Sequence, residues 1–214
     1  MKIDYLNPQI PPNTDIFDLP VIQANEDTLQ GYGKLVSKSE YLNYPIEIVR
    51  WPAAGWRKVD EGTGDEAGTV SGDFEFYWEG DYFKGKNHAV NSEYVFGWSK
   101  APELASLQST DKPGQVLLWH ANYHPDGGQL FFPLNGESFI TALALPGDDV
   151  TPGNFKAFKV EGGMGLYIHP NVWHEAIVPL GKSAIFYDEQ GAIHARVSIH
   201  FPSEFGVLVR IPLS

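Results

Sequence analysis

Two histidines, His169 and His174, stand five positions apart around Pro170 and Asn171 in the apolar run GLYIHPNVWHEAIVPL (165–180). A second concentration, HANYHPDGGQLFFPLNG (120–136), holds His120, Asn122, His124 and Gln129. Imidazole titrates near neutrality and serves as a proton donor, a proton acceptor or a ligand to borderline metals. Three uses of these histidines are therefore open: packed core, metal ligands, or the acid and base of an active site.

The rest of the composition narrows the setting. The chain has 214 residues, enough for one domain, and 43% are hydrophobic. Its formal net charge of −12 argues against nucleic acid and anionic membrane surfaces as partners. An anionic substrate must then find a locally positive pocket. No cysteine is present, which excludes disulfides and thiolate catalysis. The opening MKIDYLNPQIPP lacks the pattern of a signal peptide, and no apolar run reaches the ~20 residues that span a bilayer. The expectation is a cytoplasmic globular protein.

The elements that must position the histidines read as β. Runs such as FEFYW, EYVFGW, QVLLWHA, QLFFPL, SFITALAL, SAIFY and FGVLVRI are rich in β-branched and aromatic residues and separated by Gly, Pro, Asn and Asp. Phe74-Glu75-Phe76 alternates with period two, as a strand with one wet face does. Prolines between residues 7 and 20 predict an extended arm. NEDTLQGYGKLV, capped by Asn25, and TPGNFKAF, capped by Thr151, predict two short helices. DEGTGDEAGTVSGD (60–73) reads as a mobile loop. One domain over 1–214 follows, with an arm and short helix in 1–40 and a β-barrel in 41–214.

The two histidine segments resemble the paired motifs of cupins, small β-barrels that carry ligands in the barrel mouth. His124, Gln129 and Gly136 keep the offsets of the first motif, with Gln for the usual Glu and Asn122 in place of its first histidine. Gly163, His169, Asn171 and His174 fill the second. A closer resemblance is to the ureidoglycolate lyases, a cupin-like family of purine breakdown and allantoin degradation. HPDGGQLFFPLNGESFITALAL, NFKAF, EGGMGLYIHPNVWHEAI and FYDEQG occur in that family's order. The likeness is strong from about Tyr123 to Asp188 and weak between Tyr41 and Trp119, where this chain is longer.

The resemblance implies an all-β cupin-like double-stranded β-helix and a lyase that releases urea and glyoxylate from ureidoglycolate or a related small α-hydroxy or ureido acid. It implies His124, His169 and His174 as acid–base residues, and Gln129, Lys100, Trp173 and Asn122 as substrate contacts. No cofactor is required for that elimination. A divalent metal (Mn, Fe, Ni or Zn) on His124, Gln129 and His174 is the rival arrangement, with neutral ligands that bind less tightly than a set containing carboxylate. It would suit a metal-dependent isomerase or dioxygenase of a small organic acid. A non-catalytic small-acid-binding cupin is the third option. A homodimer is expected. Glu175, next to His174 on a strand, is expected to face away from it.

Overall fold

The computed structural model describes residues 4–49, 55–64, 71–191 and 195–213. The N-terminal stretch forms β1 (Asp15–Asp18), β2 (Val21–Gln23) and β3 (Gly33–Val36). A meander follows in β4 (Ser71–Glu79), β5 (Tyr82–Asn87) and β6 (Ser92–Trp98). Next come β7 (Gln115–Leu118), β8 (His120–Tyr123), β9 (Gln129–Pro133), β10 (Phe139–Ala144), β11 (Lys156–Val160) and β12 (Gly165–Ile168). The chain ends with β13 (Trp173–His174), β14 (Val178–Pro179), β15 (Ser183–Gln190), β16 (Val197–His200), helix α1 (Phe201–Phe205) and β17 (Val207–Pro212).

Two sheets form, an all-β arrangement of the cupin-like kind. The larger has the order β1-β17-β7-β6-β5-β4-β15-β9-β12-β3, and the smaller β16-β8-β13-β10-β11-β2, with β14 beside β10. Side-chain alternation decides which face is core. In β4, Phe74, Phe76 and Trp78 are buried while Glu75 and Tyr77 are not. The Phe74 and Phe76 rings stack at 4.3 Å. β9 and β10 are buried along their whole length, as strands with neighbours on both sides and a core in front of them are.

Three features differ from the sequence reading. The arm is strapped to both sheets: β1 runs parallel to β17, β2 parallel to β11, and β3 antiparallel to β12. The segment after Asn25 is a turn, not a helix. Asn25 Oδ1 accepts from the backbone of Asp27 and Thr28, but Thr28 Oγ1 bonds back to Gln23 O and Gly31 turns at positive φ. Leu29 N bonds to Asn25 O at 3.0 Å and Gly33 N to Leu29 O at 3.1 Å, but these are successive turns that do not join into a helix. Residues 152–154 make only a 3₁₀ turn, after which NFKAF enters β11 because strand pairing with β10 and β2 outweighs its local helix signal. The α-helix lies instead at Phe201–Phe205, where His200 Nδ1 accepts from Ser203 N at 3.1 Å and Gly206 closes the end at φ 70°.

The chain changes sheets at Trp119, whose indole donates to Val95 O at 2.7 Å. QVLLWHA is therefore two strands, β7 in one sheet and β8 in the other. The described part of IEIVRW, residues 46–49, supplies an isolated bridge between Ile48 and Gly127. Part of the expected mobile loop, residues 65–70, lies outside the described residues, as do Trp51 and His194.

Candidate active site

The inner faces of the two sheets enclose a cavity of about 60 Å³. β8 and β13 bring His124 and His174 to it from the smaller sheet, where His174 pairs with Asn122 in register. Gln129, the first residue of β9, arrives from the larger sheet. All three side chains are buried.

Gln129 Oε1 lies 3.0 Å from His124 Nε2 and 3.0 Å from His174 Nε2. The imidazole centroids are 5.1 Å apart. Each Nδ1 faces a backbone carbonyl at 2.8 Å, Ala195 O for His124 and Val172 O for His174. A carbonyl only accepts, so Nδ1 carries the hydrogen and Nε2 presents a lone pair. Burial pushes His174 down to about 3, with the neighbouring His124 adding to the effect, and burial lowers His124 as well. Both rings are neutral near pH 7.

Gln129 Nε2 donates to Asp188 Oδ1 at 2.7 Å, and Asn87 Nδ2 donates to Asp188 Oδ2 at 3.2 Å. Burial raises the Asp188 carboxyl to about 7. Three lone-pair atoms, two imidazole nitrogens and one amide oxygen, thus meet with no donor between them. A divalent cation would satisfy all three, because cis donors ~2.1 Å from one ion lie about 3 Å apart. Alternatively the amide turns over, its NH₂ donating to both imidazoles and its oxygen accepting from protonated Asp188. Among the described residues no cluster of three His, Asp or Glu forms a cation site, so any such site depends on the Gln129 amide.

The opposite side of the cavity carries charge. His120 Nδ1 meets the Glu175 carboxylate in a buried contact. His120 Nε2 is 3.3 Å from Ser198 Oγ and 3.4 Å from Tyr5 Oη. Asp60 Oδ2 accepts from Ser198 Oγ at 2.5 Å and Tyr5 Oη at 3.4 Å. The Arg196 guanidinium lies over the Tyr5 ring at 4.4 Å. Glu175 and His174 both line the cavity, contrary to the alternation expected of them. β13 ends at His174, so the backbone leaves the strand conformation and the alternation with it.

Of the residues that the sequence nominated, His124, Gln129, His174 and Asn122 come together here. Three do not line this cavity. His169 sits half-buried in the turn after β12, its amide bonded to Tyr32 O and its ring edge-on to Tyr167. Trp173 is in the core, its indole donating to Gly147 O at 2.8 Å and its ring meeting Tyr123 edge-on at 4.6 Å. Lys100 pairs with Asp111 at 2.9 Å and Asp81 at 3.4 Å. Residues missed by sequence reasoning are Tyr5, Asn87, Glu175, Asp188 and Arg196. FYDEQG contains Asp188, and alternation in β15 places it with Phe186 and Gln190 on the buried face.

Comparison with known proteins bears on the C-terminal part. Residues 100–196 match the family model described as ureidoglycolate lyase. Over that stretch the resemblance is to ureidoglycolate lyases. The ureidoglycolate lyase of Pseudomonas aeruginosa is 39% identical over 79 residues, 37% of this chain and 46% of that protein. The ureidoglycolate lyase of Salmonella newport is 41% identical over 62 residues, 29% of this chain and 39% of its own. The one from Stutzerimonas stutzeri is 39% identical over 59 residues, 28% and 35% respectively. The chain thus spans less than half the length of each of these relatives. The lyase-like stretch contains His124, Gln129, His174 and Asp188 and ends at Arg196. The walls supplied by Tyr5, Phe74, Phe76, Asn87, Tyr94 and Phe96 lie outside it.

Proposed function

We propose that the protein is a carbon–nitrogen lyase that releases urea from ureidoglycolate or a closely related small α-hydroxy acid, leaving glyoxylate or its analogue. The observation that carries this is the pair of buried, neutral imidazoles converging on Gln129 inside the stretch that resembles ureidoglycolate lyases. The elimination needs a base for the hydroxyl proton. As the C–O bond becomes C=O, the C–N bond breaks, and the departing nitrogen takes up a proton to leave as urea. His124 and His174 point Nε2 lone pairs inward to take that proton, and the imidazolium so formed, made strongly acidic by burial, gives it to the departing nitrogen. Orphaned polar atoms in the cavity wall, Asn122 Oδ1, Gln190 Nε2 and Arg196 Nε, suit a polar occupant.

A second arrangement is favoured by the same convergence of lone pairs. His124, Gln129 and His174 would hold a divalent cation, which when bound supplies Lewis-acid polarisation of the substrate's oxygens. Asp188 then fixes the Gln129 amide with its oxygen inward, and Asn87 fixes Asp188.

The test is release of urea and glyoxylate from both enantiomers of ureidoglycolate, by metal-stripped and metal-supplemented protein, beside His174→Ala. Product from stripped wild type, lost in H174A, supports the imidazole reading. Product only with added cation supports the second arrangement. No product under either condition refutes the lyase.

A further inference from the structure

We propose that Arg196, laid over the Tyr5 ring, is the carboxylate anchor of the cavity and makes the site selective for small α-hydroxy monocarboxylates over their uncharged analogues. This rests on the reading of the cavity as an α-hydroxy acid site and adds the group that reads the acid.

The chain carries a formal net charge of −12, so an arginine whose guanidinium has no ion-pair partner is out of keeping with its surroundings. Arg57 pairs with Glu204 at 2.8 Å, and Arg210 is paired with Asp18. Arg196 has no ion-pair partner among the described residues, and its buried Nε has no hydrogen-bond partner. The acids on the same side of the cavity are engaged elsewhere: Glu175 with His120, and Asp60 with Ser198 and Tyr5. A guanidinium is planar and presents paired donors that match a carboxylate's two oxygens, so a monoacid satisfies what the protein leaves open.

Position agrees. Arg196 precedes β16, which pairs antiparallel with β8, Ser198 opposite Asn122 and Val197 opposite Tyr123. Arg196 itself lines the cavity, together with Asn122 and His124. The guanidinium is held from three directions. Its backbone is bonded to Thr63 Oγ1 at 3.2 Å and to Asp60 N at 2.8 Å. Tyr5 lies beneath it at 4.4 Å, and Tyr94 is 5.9 Å away. Tyr5 belongs to the N-terminal arm, tied down by Val95 N donating to Tyr5 O at 2.8 Å. A stacked cation with a fixed backbone loses little freedom on taking an anion, which makes it an effective anchor. A small acid bridging the cavity then sets its carboxylate on Arg196 and its α-hydroxyl towards His124 and His174.

The experiment follows thermal unfolding of wild type, Arg196→Met and Arg196→Lys with glycolate and with uncharged glycolamide, alongside the KM for ureidoglycolate. Glycolate should raise the wild-type melting temperature and glycolamide should not. R196M should lose the shift, R196K should keep part of it, and KM in R196M should rise on the order of tenfold to a hundredfold, with kcat changing less. An equal glycolate shift in R196M, an equal response of wild type to glycolamide, or no wild-type response to glycolate overturns the anchor. If R196M does not fold, R196K decides, since an unchanged KM there also overturns it. Urea release by R196M with wild-type KM removes the anchor and leaves the lyase. Absence of urea release with a glycolate shift lost in R196M removes the lyase and leaves the anchor.

Discussion

His174 Nε2 lies 3.0 Å from Gln129 Oε1, an acceptor facing an acceptor in a buried site. His124 repeats the relationship from the other side. Such a contact persists only with a proton or a cation in it, and the predictions about the site follow from which one is present.

With a divalent cation as the resident group, Mn²⁺, Ni²⁺ or Zn²⁺ should raise the melting temperature of the metal-stripped protein. His124→Ala and His174→Ala should each abolish the rise, since two neutral donors hold a cation far less tightly than three. Differential scanning fluorimetry across the three ions checks this. A rise that survives both substitutions would place the ion elsewhere.

Acid stability of the metal-free protein should reflect two opposing groups. Unfolded histidine takes a proton near 6.5, whereas folded His174 refuses one until about 3, so its contribution falls as pH drops through that window. Asp188 works the other way. Its folded carboxyl holds a proton up to about 7 that the unfolded chain sheds near 3.8, so its contribution is lost as pH rises between those values. Asp188→Asn removes that counterweight and should lose stability more steeply than wild type between pH 7 and 4. Urea unfolding midpoints at several pH values measure the slopes, and equal slopes would refute the assignment.

Tyr5→Ala should destabilise by about 2–3 kcal/mol, because its ring contacts Tyr94, Trp119 and His120 at centroid distances of 5.6, 5.8 and 5.1 Å. Tyr5→Phe keeps the ring under Arg196 and loses only two long hydrogen bonds, so it should stay within about 1 kcal/mol of wild type. Chemical denaturation of the pair separates the ring from the hydroxyl.

Lys100→Ala should leave both KM and the melting temperature essentially unchanged, as expected of a lysine whose ion pairs lie outside the cavity. A severalfold rise in KM would return Lys100 to the substrate.

Gly128→Ala should disturb the site through packing. A Cβ there would stand 2.3 Å from Tyr167 Oη and 2.7 Å from Ile168 O. Tyr167 Oη accepts from Glu47 N at 3.0 Å, so the tyrosine cannot yield freely. Destabilisation of about 2 kcal/mol or more is expected, read as a fall in melting temperature together with loss of activity, since Gln129 is the next residue.

The sequence by itself determined what short-range patterns can carry. Period-two alternation and Gly/Pro punctuation made the chain all-β, and the resemblance of two segments to the cupin and ureidoglycolate lyase motifs picked out His124, Gln129 and His174. It failed where a local signal met a competing partner: the Asn25 segment stopped at one turn, and NFKAF joined a sheet. Glu175 shows the limit well, because alternation predicts its direction only while the strand lasts, and β13 stops one residue earlier. Tertiary structure alone decided the other wall of the cavity. Tyr5 reaches His120 across 115 positions of sequence, and Gln129 reaches Asp188 across 59. Alternation says which residues share a face of one strand, while the pairing and stacking of whole sheets decides which faces meet. Arg196, Tyr5 and Asn87 became neighbours of the histidines through that long-range assembly.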